Sequence, residues 1–331
     1  LDSCHHHTLG GGTGAHSSRS ITALVRPSPR VWGWAFSLKL FLPLLAAILG
    51  ACTTPAARST GPLVVVDDAS DTVRLAAPAT RVVSLSPATT ELLFALGAGD
   101  RVVGRTRWCD YPPSALAVPN VGDGLPPNIE AVLAARPDLV LLYLSPQNTE
   151  AERRFKAAGI AVLQLAFNHL ADVARIARLV GPLVGRAPAA DSLAASLTAA
   201  LDLARVKADS VPQSARPRVL ILAWDQPPIA IGAGSFQSEI LSLAGGTNLF
   251  GDVSTPSATV SIEAIASRDP DLVLLSDTGA PEFAARPEWR VVRSVRERRF
   301  VRLVSTAFGR PSPRAPELID QLRAALAGAP Q

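Results

Sequence analysis

The chain has 331 residues, enough for two domains with a sizeable core in each. Hydrophobic residues make up 48% and charged residues 18%, a globular composition that excludes a disordered chain. The formal charge of +4 is concentrated ahead of Cys52, where four cations (Arg19, Arg26, Arg30, Lys39) face one acid (Asp2), so the near-neutral remainder lacks the positive field that binding DNA or RNA requires.

In chain order, Cys4 and the run His5, His6, His7 come first. A Gly/Ser-rich stretch from Gly10 to Ser20 follows, with nothing to pack, so the cluster reads as a low-complexity leader and not as a metal site. Methionine is absent even from the first position, as expected of a non-standard start, a misplaced start or a fragment. Three cysteines (Cys4, Cys52, Cys109) cannot form a disulfide framework.

Lys39 then precedes an apolar run, Leu40 to Ala51. It is too short for a spanning helix of roughly 20 residues, and its positive flank and small residues before a cut describe an export signal. Leu49-Gly50-Ala51-Cys52 resembles the lipobox of bacterial lipoproteins, which implies that Cys52 is acylated and begins the mature protein, anchored by lipid in the periplasm or at the cell surface. The polar, Pro-bearing stretch 53–62 reads as a tether. Cys109 is then the free thiol of the body, expected to be a small buried hydrophobe.

The body carries an internal repeat. IEAVLAARPDLVLL (129–142) recurs as IEAIASRDPDLVLL (262–275) at a fixed offset of 133, with nine of fourteen positions identical. Asn128 or Ser261 caps a short helix, Pro137 or Pro270 stops it, and an apolar run follows as a buried parallel strand. One helix–turn–strand unit used twice predicts two related α/β lobes. Strands are expected at 81–85, 160–165 and 218–222, and helices at 89–96, 149–158 and 236–243, an alternation that argues for parallel sheets covered on both faces. Between the lobes, 170–184 and 187–209 read as helices, the second with an apolar stripe of Leu193, Leu197, Leu201 and Ala204. Its 23 residues would reach roughly 34 Å. The expected organisation is a leader and signal at 1–52, a tether and lead-in at 53–78, an N-terminal lobe at 79–186, a connecting helix at 187–211 and a C-terminal lobe at 212–331.

From Arg81 onward the chain resembles the helical-backbone class of ABC-transporter substrate-binding proteins, which serve cobalamin, ferric siderophores and haem. The resemblance rests on RVVSLSPATTELLFALGAGDRVVG (81–104), WCDYPP (108–113), NIEAVLAARPDLVL (128–141), GGTNLF (245–250), SIEAIASRDPDLVLL (261–275) and SPR (312–314). TELLFALGAGD, CDYPP and the aromatic after DLVLL are most similar to cobalamin-binding members. The resemblance implies two Rossmann-like lobes joined by one long helix, with a ligand clasped between them and little hinge motion. It implies no enzyme and no cofactor other than the ligand itself, a corrinoid or a ferric chelate. The implied partners are a dimeric ABC permease with its ATPase and, through the lipid, the membrane.

Open α/β lobes bind ligands at the carboxyl ends of their strands. Trp108, Tyr143 and Trp224 all follow expected strands and present flat faces suited to a large planar ligand. In cobalamin-binding relatives, aromatics at the positions of Trp108 and Tyr143 line the pocket. Phe308 and Arg310 are further candidates, although Thr306-Ala307-Phe308-Gly309-Arg310 departs from the acid-plus-Trp version of some cobalamin binders. Asn120, Asp123, Asp225 and Gln226 offer polar contacts or serve turns, and Asp110 and Tyr111 are expected to fix the turn at Pro112 and Pro113. Glu130 and Glu263, equivalent in the repeat, correspond to the pair that meets permease arginines in the resembling family. The bland alternative is stabilisation by the helix dipole.

Other readings compete. A bare-metal receptor needs several histidines, and His169 is the one histidine after Cys52. A siderophore receptor would use Arg105, Arg107 and Arg310 against an anionic ferric complex. A haem receptor would use Tyr143. An enzyme would rest on Gly232-Ala233-Gly234-Ser235 as a phosphate-binding turn, which lacks the full dinucleotide spacing and a P-loop Lys. A structural lipoprotein with a vestigial cleft is the last alternative.

Overall fold

A computed structural model describes residues 61–276, 281–303 and 305–329. The leader, the export signal and Cys52 lie outside the described residues.

The described chain begins with a hairpin, β1 (Leu63–Val66) and β2 (Thr72–Leu75). Leu63, Val65 and Leu75 pack on the N-terminal lobe, and Asp67 accepts the Gln164 amide at 3.0 Å, so the lead-in is folded onto that lobe. The lobe continues as β3 (Val82–Ser84), α1 (Pro87–Ala95), β4 (Val102–Arg105), α2 (Ile129–Ala134), β5 (Leu139–Tyr143), α3 (Thr149–Ala157), β6 (Ala161–Leu165) and α4 (Leu170–Leu183). Its sheet, in the order β4-β3-β5-β6, is wholly parallel. Leu139, Val140, Leu141 and Leu142 of β5 are fully buried, as a continuous apolar run in a two-sided sheet requires.

α5 (Ala187–Asp209) joins the lobes. Ala190, Ala194 and Leu197 enter the N-terminal core, whereas Ala204 enters the C-terminal one, so a single helix is a structural member of both. The expected apolar stripe is therefore divided between two cores.

The C-terminal lobe comprises β7 (Arg218–Asp225), β8 (Pro228–Ile231), α6 (Phe236–Leu243), β9 (Thr247–Asn248), β10 (Ser257–Thr259), α7 (Ile262–Arg268), β11 (Leu272–Leu275), α8 (Arg293–Arg296), β12 (Phe300–Arg302) and α9 (Ala315–Ala327). β7, β9, β11 and β12 are mutually parallel, but β8 runs antiparallel to both its neighbours, β7 and β10. This corrects the expectation of a purely parallel sheet. β7 continues three residues past Leu222 and turns straight back at Gln226-Pro227, a short reversal that an antiparallel neighbour allows and a parallel one does not.

Both copies of the repeat fold alike. Asn128 accepts the Ala131 amide and Ser261 the Ala264 amide, each at 3.1 Å, which caps α2 and α7. Arg136 and Asp269, immediately before the two prolines, both adopt left-handed backbone with φ of 47° and 44°. No helix among the described residues is long and apolar enough to cross a membrane.

Candidate functional site

The carboxyl ends of the strands face a cleft of about 740 Å³, lined by both lobes. That volume lies in the upper part of the range for small-molecule sites. Trp108, three residues beyond β4, is 57% exposed there, and Tyr143, the last residue of β5, is 38% exposed. The buried Asn148 donates from Nδ2 to the Tyr143 carbonyl at 2.8 Å and so fixes the backbone that carries the ring. Phe167 and Phe236 complete the aromatic lining. Neither was singled out from sequence. Phe167 follows β6 just as Tyr143 ends β5, so the same rule could have found it, whereas Phe236 reaches the cleft because it opens α6.

Trp224 and Phe308 lie elsewhere. Both border an adjoining cavity of about 270 Å³ in the C-terminal lobe, which meets the main cleft at Ser276. Because β7 runs on to Asp225, Trp224 is carried past the main cleft; its indole nitrogen donates to the Gln226 carbonyl at 2.8 Å. Phe308 is buried in the C-terminal core. Trp108 and Tyr143 thus lie together in the main cleft and Trp224 lies outside its lining.

Arg310 is in the cleft wall, but its charge is met from within the protein. Its Nε lies 2.8 Å from Glu91 Oε1, at ion-pair distance though not aligned as a hydrogen bond. Nη1 donates to the Trp108 carbonyl at 3.0 Å and Nη2 pairs with Asp110. Asp110, itself in the cleft lining, thus directs its carboxylate to Arg310. Tyr111 lies beneath the Arg314 guanidinium at 3.7 Å. Arg107 sits over the Trp108 ring at 4.6 Å and pairs with Asp123 at 2.8 Å. Arg105 is buried and spends its guanidinium on the carbonyls of Ala115, Thr106 and Leu116.

The remaining loop residues are also engaged. Asn120 accepts the Gly122 amide, Asp225 pairs with Arg286, and Gln226 accepts from the same arginine. Cys109 is buried and touches the hydroxyls of Thr90 and Thr106, each at 3.1 Å. Gly232 and Gly234 press against the backbone of 253–255, and Ser235 caps α6, so this segment is a packed turn. Among the described residues, no group of three or more His, Cys, Asp or Glu side chains could hold a metal ion.

Glu130 and Glu263 are exposed in the first turns of α2 and α7, and neither lines the cleft. The Glu263 carboxyl is held below its usual range by its own amide and by Ser261.

Two α/β lobes, a shared helix and an aromatic cleft between them define a two-lobed binding protein of the helical-backbone class. The chain belongs to the periplasmic binding protein family, whose model matches residues 82–307. It is 30% identical over 295 residues, 85% of this chain and 93% of the other, to YvrC of Bacillus subtilis, an uncharacterized ABC transporter substrate-binding lipoprotein. Among solved structures it is similar to the periplasmic vitamin B12 binding protein BtuF of Vibrio cholerae, with a TM-score of 0.64, 26% identity, and coverage of 76% of this chain and 97% of that one. It is also similar to the periplasmic heme-binding protein RhuT from Roseiflexus sp. RS-1, with a TM-score of 0.66, 27% identity, and coverage of 74% and 97%. The protein is thus a substrate-binding protein of ABC-transporter type.

Proposed function

We propose that this protein captures a corrinoid in the cleft and delivers it to a dimeric ABC permease. One observation carries the choice of ligand: the cleft offers broad aromatic faces, while Arg310 in its wall and the arginines nearby are already engaged within the protein. Arg105, Arg107 and Arg310, the three residues on which a siderophore reading rests, are satisfied by backbone carbonyls, by Asp123, and by Glu91 with Asp110. An anionic ferric chelate, or the carboxylates of haem, would have to compete with these internal partners for the guanidinium groups. A corrinoid presents a flat ring edged with neutral amides, which suits Trp108 and Tyr143 for stacking and Ser86, Ser276 and Thr306 for hydrogen bonds. The similarity to the Vibrio cholerae vitamin B12 binding protein supports the same reading.

In this reading Cys52 carries the lipid that anchors the protein outside the cytoplasm, and Glu130 and Glu263 dock one lobe each onto the permease. Titration calorimetry with cyanocobalamin, a ferric hydroxamate and haemin tests the ligand. Heat from cyanocobalamin alone is expected. Saturable binding of either iron complex with none of cyanocobalamin would transfer the assignment to that complex.

A further inference from the structure

Two carboxylates cross from one lobe to the other beside the cleft. Glu91, on α1 of the N-terminal lobe, is 3% exposed. It accepts from Ser312 Oγ, from Arg314 Nε at 3.1 Å and from Arg314 Nη2 at 2.8 Å, with Arg310 beside it. All these partners come from the C-terminal lobe. Glu239, on α6 of the C-terminal lobe, reaches the other way. Its Oε2 accepts the Leu170 amide at 2.9 Å and its Oε1 pairs with His169, at the start of α4. Leu170 itself is buried in the C-terminal core.

These residues are counterparts. Thr90-Glu91-Leu92-Leu93 and Ser238-Glu239-Ile240-Leu241 share one pattern, each in a helix capped by a serine (Ser86, Ser235). Both segments end at a glycine with positive φ, Gly97 at 69° and Gly245 at 93°. In each lobe the two apolar residues after the glutamate are buried in that lobe's own core, which turns the glutamate toward the opposite lobe. An incidental ion pair on one helix has no reason to recur at the same point of its counterpart.

We propose that Glu91 and Glu239 are paired positioning residues that brace the lobes against each other and thereby fix the width of the cleft. The connecting helix α5 is one link between the lobes, and these two contacts add links that oppose movement of one lobe against the other. A buried carboxylate serves this purpose because separating it from its partners is costly, whereas the net stability gained from the pair is small. Each brace also places aromatic surface. Glu91 holds Arg310, which holds the Trp108 carbonyl from the opposite lobe. Glu239 joins the helix that opens with Phe236 to the helix that starts just after Phe167. Neither brace requires a ligand in the cleft.

Hydrogen exchange read by mass spectrometry on the full chain tests this, comparing the wild type with Glu91→Gln, Glu239→Gln and the double variant. Glutamine keeps the shape and one acceptor but removes the charge. Glu91→Gln is expected to speed exchange by roughly ten-fold in 306–315 of the opposite lobe, the equivalent of one lost charge-assisted bond. Glu239→Gln is expected to do the same at 168–173, with the double variant exceeding the sum. Folded variants whose faster exchange stays within the substituted lobe, or that exchange like the wild type, overturn the proposal. If Glu91→Gln does not fold, Glu239→Gln, at a half-buried carboxylate, decides the matter with the same two outcomes.

Discussion

Asp138 and Asp271 close the same two-point contact in the two lobes. The Asp138 amide donates to the Arg81 carbonyl at 2.9 Å while its carboxylate accepts the Arg81 amide at 3.1 Å. The Asp271 amide donates to the Arg218 carbonyl at 2.9 Å while its carboxylate accepts the Arg218 amide at 2.8 Å. Each aspartate thus ties the strand it precedes, β5 or β11, to the start of the neighbouring strand, β3 or β7.

The two should differ in weight. Asp138 also accepts from the amide and hydroxyl of Thr80, at 2.8 Å and 3.0 Å. Asp138→Ala is expected to cost about 2 kcal/mol and Asp271→Ala about 1 kcal/mol, since hydrogen bonds to a charged group are the stronger kind and these are partly exposed. Thermal denaturation should show the ranking as losses of roughly 2–4 °C per kcal/mol. Equal losses, or a larger one at Asp271, would contradict it.

The elements of the repeat were legible because their signals are local. Asn128 and Ser261 announce helix starts, Pro137 and Pro270 announce ends, and the apolar runs that follow are too short for anything but buried strands. Phe236 to Leu243 matches α6 for the same reason. Less local features were not legible. The antiparallel course of β8 depends on β7 running on to Asp225, where Pro227 and Pro228 mark a turn but not the direction of the strand that follows. Trp224 left the main cleft for that reason. The position of Glu91 between Ser312, Arg310 and Arg314 depends on residues more than 200 positions away. An acid inside the buried α1 signals that it must have a partner but does not say which.

Trp108 and Tyr143 should account for much of the corrinoid affinity. Replacing either with alanine removes a stacking face and is expected to weaken binding by about ten-fold, or roughly 1–1.5 kcal/mol. Trp224→Ala, beside the adjoining cavity, should change affinity less. Calorimetry on the three variants checks the order. A larger loss at Trp224 would place the ligand in the smaller cavity.

His169 makes the contact with Glu239 sensitive to pH. The hydrogen bond to Glu239 raises the imidazole pKa above its ordinary value of 6.5, with the charges of Glu239 and Asp172 acting in the same direction against partial desolvation. A folded-state pKa raised above the unfolded one gives stability that is fully present below pH 6.5 and lost as the pH rises through the folded value. The effect is modest because His169 is mostly exposed. The wild type should therefore be more stable than His169→Gln at pH 5.5, with the gap closing by pH 8.5. A gap independent of pH would assign His169 a packing role only.

In the proposed reading, anchoring rests on Cys52. Cys52→Ser should release the protein from the membrane fraction or leave the precursor uncut, and metabolic labelling with palmitate should mark the wild type alone. Normal fractionation and processing of the variant would remove the lipid anchor from the reading.

Glu130 and Glu263 give the most direct test of delivery as distinct from capture. Each is exposed in the first turn of a short helix, one helix in each lobe, and neither is among the residues that line the cleft. The helix dipole favours an acid at such a site by roughly 0.3–1 kcal/mol, which explains either residue taken singly. It does not explain why both persist within a repeat whose neighbouring positions have drifted, Leu133 to Ala266 and Ala135 to Arg268. In the proposed docking, the one exposed carboxylate on each of two pseudo-equivalent lobes would meet one half of a dimeric permease. Reversal of both charges, Glu130→Arg with Glu263→Arg, should leave cyanocobalamin affinity unchanged while abolishing uptake in cells that express the importer. The single reversals should fall between, because each leaves one of the two contacts in place. Full transport by the double variant would remove the docking role. Loss of ligand binding alongside transport would show instead that the two glutamates support the cleft.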